Sequence, residues 1–452
     1  MKYTASVFLV SAGWATALTQ QCSGTATNEG GNWFCGAVNQ ILYQGIKGSG
    51  TFKAVTNMGA SGACQTEDKA YSGPLAPLDE GLSLQFRGPL WLKEFAVLNP
   101  ATKSKRTAGE NVEAPRQSDV RGRSHSHNHK RLHRSHRNKK REDIVHATID
   151  GKLVSWVNDY HPDAAPAAPA AANSVPIVQV GVGSGAASAP ASSSSTSSDS
   201  PKPDGKPAPS GSDWDRVAYY NAEEKIAENM VFMGNYGGQG SGEFNTVWGS
   251  SLAYLNAQGD GGSSSPQILK DGLIPSNKEF AIFSAEKCDE TCGYSRVSDI
   301  AYKGFSGANK VFLFRFKMPM DGNRGFNGDM PALWALNSRI PRTAQYNACS
   351  CWPACGEADF FEVLASGDTK CKSTFHLANG GGSSDYFDRP VDKFIKAAVV
   401  FHEATASVSI KILPDDTDLS AKGFDDATVM KWVSQPTDAS GLKLSSLFQI
   451  LS

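Results

Sequence analysis

The segment Gly356-Glu357-Ala358-Asp359-Phe360-Phe361-Glu362 brings three carboxylic acids together in one short stretch. Side chains alternate between faces along a strand, so Glu357 and Asp359 project the same way. Glu362 stands five positions from Glu357, an odd offset, and belongs to the opposite face of a regular strand. One extra residue after Asp359, a β-bulge, restores the phase and turns Glu362 toward the other two acids. Ala358 and Phe360 then point into the core. Crowded like charges raise one another's pKa, so one carboxyl stays protonated beside an ionised neighbour. Cleavage of a glycosidic bond needs that division: a carboxylate to attack the anomeric carbon and a carboxylic acid to protonate the leaving oxygen. A separation of roughly 5–5.5 Å gives retention through a covalent glycosyl-enzyme. The alternatives are a solvated edge strand or a calcium site built from clustered carboxylates.

The flanking residues fit a carbohydrate cleft. Asp329-Met330-Pro331-Ala332-Leu333-Trp334-Ala335-Leu336-Asn337 lies upstream, and Trp352-Pro353-Ala354-Cys355 directly precedes the acids. Sugar rings stack their apolar faces on aromatic planes, which makes Trp334 and Trp352 candidate substrate-binding residues unless both are packed in the core. His376 follows Glu362 by 14 positions and returns on the neighbouring strand, where it either bonds substrate or supports the fold.

The elements that must position these residues read as strands. Lys310-Val311-Phe312-Leu313-Phe314-Arg315-Phe316 is an apolar run of strand length, and Ser407 to Ile412 alternates with Val408, Ile410 and Ile412 on one face. Asn235-Tyr236-Gly237-Gly238 and Asp321-Gly322-Asn323 mark turns. One helix is expected over Tyr219–Met230, where Ala222, Ile226 and Met230 share a face. Short strands separated by turns at this density predict an all-β sandwich from residue 213 to residue 452. Only 90 residues follow Glu362 and strand signals thin out after Leu413, whereas a jelly roll needs more strands beyond the acids. Phe86 to Val97 reads as a terminal sandwich strand displaced to the front, so residues 20–100 are expected to pair with the C-terminal domain across a linker.

Composition sets the remaining boundaries. The net charge of −1 gives no field toward nucleic acid or an anionic membrane. Residues 1–19 carry Lys2, an apolar run and Ala15-Thr16-Ala17, the pattern of a signal peptide, and the run is too short for a transmembrane segment. Residues 101–145 form a basic, His/Arg-rich insert, read as a solvated loop, with metal or polyanion binding as the alternatives. Its pairs Lys105-Arg106, Lys130-Arg131 and Lys140-Arg141 are candidate processing sites. Residues 146–161 predict a β-hairpin about Asp150-Gly151, and the Ala/Pro/Ser-rich residues 162–212 predict a disordered linker. Nine cysteines, six of them between Cys288 and Cys371, point to disulfides in an oxidising compartment, and the odd count leaves one thiol over. A zinc site is the alternative for the cluster, which has no histidine at finger-like spacing.

Pro331-Ala332-Leu333-Trp334 together with Trp352 to Glu362 resembles the laminarinase pattern of glycoside hydrolase family 16. Cys292-Gly293-Tyr294, Ala301 to Phe305, Ile340 to Tyr346, Cys349-Ser350-Cys351-Trp352 and the N-terminal block with Cys22, Cys35 and Cys64 resemble the fungal circularly permuted 1,3-β-glucanases. The resemblance implies a concanavalin-like jelly-roll sandwich, circularly permuted. It also implies a secreted, endo-acting, retaining 1,3-β-glucanase whose partner is the β-glucan of the fungal cell wall, with no cofactor. Carried over, Glu357 is the nucleophile, Glu362 the acid/base and Asp359 the acid assisting the nucleophile. Ala358 departs from the usual Ile or Leu without touching the chemistry. A wall transglycosylase and a non-catalytic glucan-binding protein are the competing readings.

Overall fold

The computed structural model describes residues 25–101, 144–149, 152–157, 212–347, 349–435 and 445–450. Two large sheets face each other across one apolar core. The acid-bearing sheet runs in the order Met230–Gly234, Glu279–Ser284, Leu82–Arg87, Ala332–Asn337, Glu357–Glu362, Lys370–His376, with short strands at both edges. The second sheet runs Trp214–Asn221, Trp91–Pro100, Lys310–Lys317, Ile395–His402, Ser407–Leu413, Gln40–Gln44, Ser445–Gln449. Every pairing named is antiparallel except the last, which is parallel. The chain is an all-β sandwich.

Burial explains the strand sequences. Phe312, Phe314 and Phe316 enter the core between the sheets, while Val311 and Leu313 pack outward with Val429 and Trp432 of the helix Asp426–Val433. Both faces of the Lys310–Lys317 strand are covered, which is why Val311 to Phe314 run apolar without alternation. In Leu82–Arg87 only Leu82, Leu84 and Phe86 join the core, and Ser83, Gln85 and Arg87 occupy the other face.

Strands from the N-terminal region are interleaved with later ones. Leu82–Arg87 lies between Glu279–Ser284 and Ala332–Asn337, and Trp91–Pro100 between Trp214–Asn221 and Lys310–Lys317. Gln40–Gln44 similarly separates Ser407–Leu413 from Ser445–Gln449. Neither region could bury its share of the core without the other.

The helix expected over Tyr219–Met230 is not formed. Trp214–Asn221 is a strand, the chain turns, and Ile226–Glu228 pairs back onto it. Asn221 Oδ1 accepts from the backbone N–H groups of Glu223 and Glu224 at 3.0 Å, an Asx turn that competes with helix. Lys225 and Asn229 then adopt φ of 57° and 56°, left-handed values that no helix interior accommodates.

A long antiparallel hairpin, Lys47–Met58 with Cys64–Pro74, lies on the outer face of the acid-bearing sheet. Its Phe52 and Ala54 share a cluster with Trp334, Leu336, Ile340, Cys351 and Cys355. Disulfides join Cys64 to Cys349, Cys288 to Cys292 and Cys351 to Cys355, and Cys371 is a buried free thiol. Ile144–Ile149 pairs with Lys152–Val157 in a separate hairpin. The expected signal peptide and nearly all of the basic insert and expected linker fall outside the described residues. Among the described residues no helix is long and apolar enough to cross a membrane.

Candidate active site

The strand Glu357–Glu362 carries the irregularity that its acids require. Against Ala332–Asn337, Asp359 lies opposite Trp334 while Phe361 lies opposite the adjacent Leu333, so Phe360 is the extra residue. On the other side Asp359 pairs with Thr374 and Glu362 with Lys372, three steps against two. Phe360 and Phe361 both enter the core, together with Ala358 and Val363. Glu357, Asp359 and Glu362 consequently share the outer face. Glu357 is 7% exposed and Asp359 4%, whereas the side chain of Glu362 is 24% exposed.

Each acid has a distinct set of partners. Both oxygens of Glu357 are engaged: Tyr346 donates its hydroxyl to Oε1 at 3.2 Å, and Trp352 donates its indole N–H to Oε2. Tyr346 in turn accepts from Trp334 Nε1 at 3.0 Å and meets the Trp352 ring edge-on at 5.4 Å. Trp334 is 4% exposed beneath the hairpin, so its contribution reaches Glu357 through Tyr346. Trp352 is half-buried, with its ring 6.1 Å from that of His376. His376 places Nε2 3.1 Å from Asp359 Oδ2 and keeps its side chain 40% exposed.

Glu362 is met by Arg87. Nη2 lies 3.4 Å from Glu362 Oε1, Nη1 3.5 Å from Glu279 Oε1, and Nε donates to the Met330 carbonyl at 2.8 Å. Lys372, the register partner of Glu362, sends its Nζ to the Trp33 carbonyl at 2.9 Å instead.

These surroundings perturb Glu357, Glu362 and His376. Burial, then the charge of Asp359, raises Glu357 above the usual carboxylate range, opposed by His376 and the Trp352 hydrogen bond. Burial and Asp359 raise Glu362 as well, opposed by Arg87. Burial works against a charged His376, but the hydrogen bond and charge of Asp359, with Glu357 and Glu362 behind it, lift it to about 9. Buried acids held near one another share protons as a set. Two donors on Glu357 favour its ionised form, while the single long contact on the more open Glu362 leaves room for a proton.

The structure thus gathers Glu357, Asp359, Glu362, Trp352 and His376, with Trp334 one hydrogen bond further back. Sequence reasoning missed Tyr346, Arg87 and Glu279. A signal for Arg87 was present, because it ends the polar face of a strand whose alternate positions are all apolar. Tyr346 lies in an irregular segment whose placement no periodicity reveals.

Comparison with known proteins places this geometry in context. The families described as cell wall protein YJL171C/Tos1, C-terminal and N-terminal, match residues 212–432 and 39–100. A protein of Arthroderma benhamiae named probable circularly permuted 1,3-beta-glucanase is 38% identical over 91% of this chain and 93% of its own length. Proteins of Candida albicans and Saccharomyces cerevisiae, both named probable circularly permuted 1,3-beta-glucanase TOS1, are each 37% identical. They cover 96% and 92% of this chain and 98% and 94% of their own lengths. No solved structure matches.

Proposed function

The chain belongs to the cell-wall protein family described as YJL171C/Tos1, and from that premise we propose that it cleaves the β-1,3-glucan of the fungal wall with retention of anomeric configuration. Relatives named as probable 1,3-beta-glucanases support the substrate. The observation that carries the mechanism is the bulge at Phe360, which sets three acids of unlike environment on one face.

Glu362 donates its proton to the glycosidic oxygen as the C1–O bond breaks, and ionised Glu357 forms the new bond to C1. The aglycone leaves with that proton. Glu362, now a carboxylate, takes a proton from a water that attacks C1, releasing the sugar and restoring Glu357. Tyr346 and Trp352 hold the Glu357 carboxylate in one orientation, with Trp334 behind Tyr346. Asp359, paired with His376, keeps negative charge beside Glu357 and so favours the positive charge that develops on the sugar. Trp352, His376 and Tyr346 are the side chains around the acids open enough to touch substrate. The disulfides Cys64–Cys349, Cys288–Cys292 and Cys351–Cys355 suit secretion to the wall, and the interleaved N-terminal strands suit a circular permutation.

The test is incubation of the full chain with a linear β-1,3-glucan, following reducing ends and, by proton NMR, the first anomer released. We expect new reducing ends and the β anomer. Glu357→Gln and Glu362→Gln should each lower kcat by about 10²–10⁴-fold with the fold retained. An α anomer released first overturns the retaining mechanism. Longer products without new reducing ends identify transfer to a second glucan, and binding without turnover identifies a wall-bound structural protein.

A further inference from the structure

The acid-bearing face is completed by a residue from the N-terminal region that lies 275 positions from its partner. Arg87 ends the strand Leu82–Arg87, and the next strand places Ala332 opposite both Arg87 and Glu362. A methyl group at that point lets the two long side chains meet over it. Arg87 is fixed on every side: Nε on the Met330 carbonyl, Nη1 toward Glu279, Nη2 toward Glu362, and the guanidinium 5.8 Å from the Trp334 ring centroid. Glu279 is its direct cross-strand partner and is the more exposed of its two acids. The other charged groups facing Glu362 are Asp359 and Glu357 on its own strand and His376 and Lys372 on the next. Lys372 is turned away to Trp33, so among the described residues Arg87 makes the ion pair with Glu362.

We propose that Arg87 is a positioning residue that orients the Glu362 carboxyl and sets its proton affinity, and that Glu279 tempers Arg87 by sharing its charge. The proposal rests on the reading of Glu362 as the acid/base. An opposite charge within about 4–6 Å favours the ionised form of a carboxyl. With Arg87 present, Glu362 releases its proton at lower pH than burial beside Asp359 alone would allow. Between the two chemical steps the same group must act as a base, so a moderated affinity serves both. Glu279 draws on one arm of the guanidinium, and neutralising it leaves more of that charge to Glu362.

The two acids make the idea testable by sign. In a profile of kcat/KM against pH on linear β-1,3-glucan, Arg87→Met should move the alkaline limb upward by about one pH unit. Glu279→Gln should move it downward by less, and Arg87→Lys should lie close to the parent. Melting temperatures measured alongside separate a folding defect from a shifted limb, since lost packing does not move limbs in opposite directions. An unmoved limb in Arg87→Met, or movement of both variants in one direction, overturns the proposal. If the parent itself cleaves no glucan, the functional reading falls instead. Carbon-13 NMR titration of the glutamate carboxyls, with Glu362→Gln for assignment, then decides the same signs without turnover.

Discussion

Glu357 owes its geometry to two aromatic donors, neither of which is on its own strand. A hydrogen bond to a charged group contributes about 1.5–3 kcal/mol, more than an ordinary neutral one. Trp352→Phe keeps the ring and deletes the donor. We expect it to lower kcat/KM by about 10–100-fold while the melting temperature stays near that of the parent, as steady-state kinetics and calorimetry will read. The sign with pH follows: losing a donor to the carboxylate raises the proton affinity of Glu357, so the acidic limb moves upward. Tyr346→Phe should act in the same direction. An unchanged acidic limb in both variants means that these donors do not hold the carboxylate.

The strand Glu357–Glu362 and its neighbour Lys370–His376 concentrate groups whose protons are held more tightly in the folded state than in the unfolded chain. Glu357 and Glu362 are raised above 4.5, and His376 is raised from 6.5 to about 9. A raised folded value means that the native state binds more protons, so its stability is greatest at low pH and falls as pH rises. The two glutamates contribute to that fall from their ordinary value upward, and His376 contributes between 6.5 and about 9. These three groups therefore pull the melting temperature down from mildly acidic to mildly alkaline pH, against Lys310 and Lys372, whose lowered values pull it up as pH rises. His376→Asn, which removes the alkaline part of the effect, should flatten the upper end; a parallel decline in both proteins contradicts it. Much of this strand was legible in advance. The odd offset of Glu362 demanded an added residue, and Phe360 supplies it. The segment after Trp214 was misread because Ala222, Ile226 and Met230 have helical spacing, while the turn is decided by the Asn221 side chain and two left-handed residues. The partners of Arg87 and the position of Tyr346 were beyond reach for another reason. Their contacts are fixed by strand order and by a disulfide-tied loop, and no local pattern encodes either.

At the scale of the molecule, both sheets are built from both ends of the chain, and one sulfur bridge crosses between them. Cys64 of the outer hairpin joins Cys349, 285 positions away, beside the loop that carries Tyr346 and Trp352. Cross-links of this kind typically contribute about 2–5 kcal/mol. The double variant Cys64→Ser, Cys349→Ser should unfold at lower denaturant concentration. It should also lose activity at temperatures where the sandwich still stands, because the donors of Glu357 lose their anchor. Activity and circular dichroism recorded on one temperature ramp will separate the two losses, and coincident curves speak against the anchor.

The same bridge bears on how the protein would look to a biochemist. Lys105-Arg106, Lys130-Arg131 and Lys140-Arg141 all lie between the two cysteines in sequence. A protease that cuts at any of them leaves two polypeptides still joined by sulfur and still interleaved in both sheets. Such a two-chain form would migrate as one band in a non-reducing gel and as two after a thiol is added. The acid-bearing face, drawn from both pieces, would stay assembled through the cut.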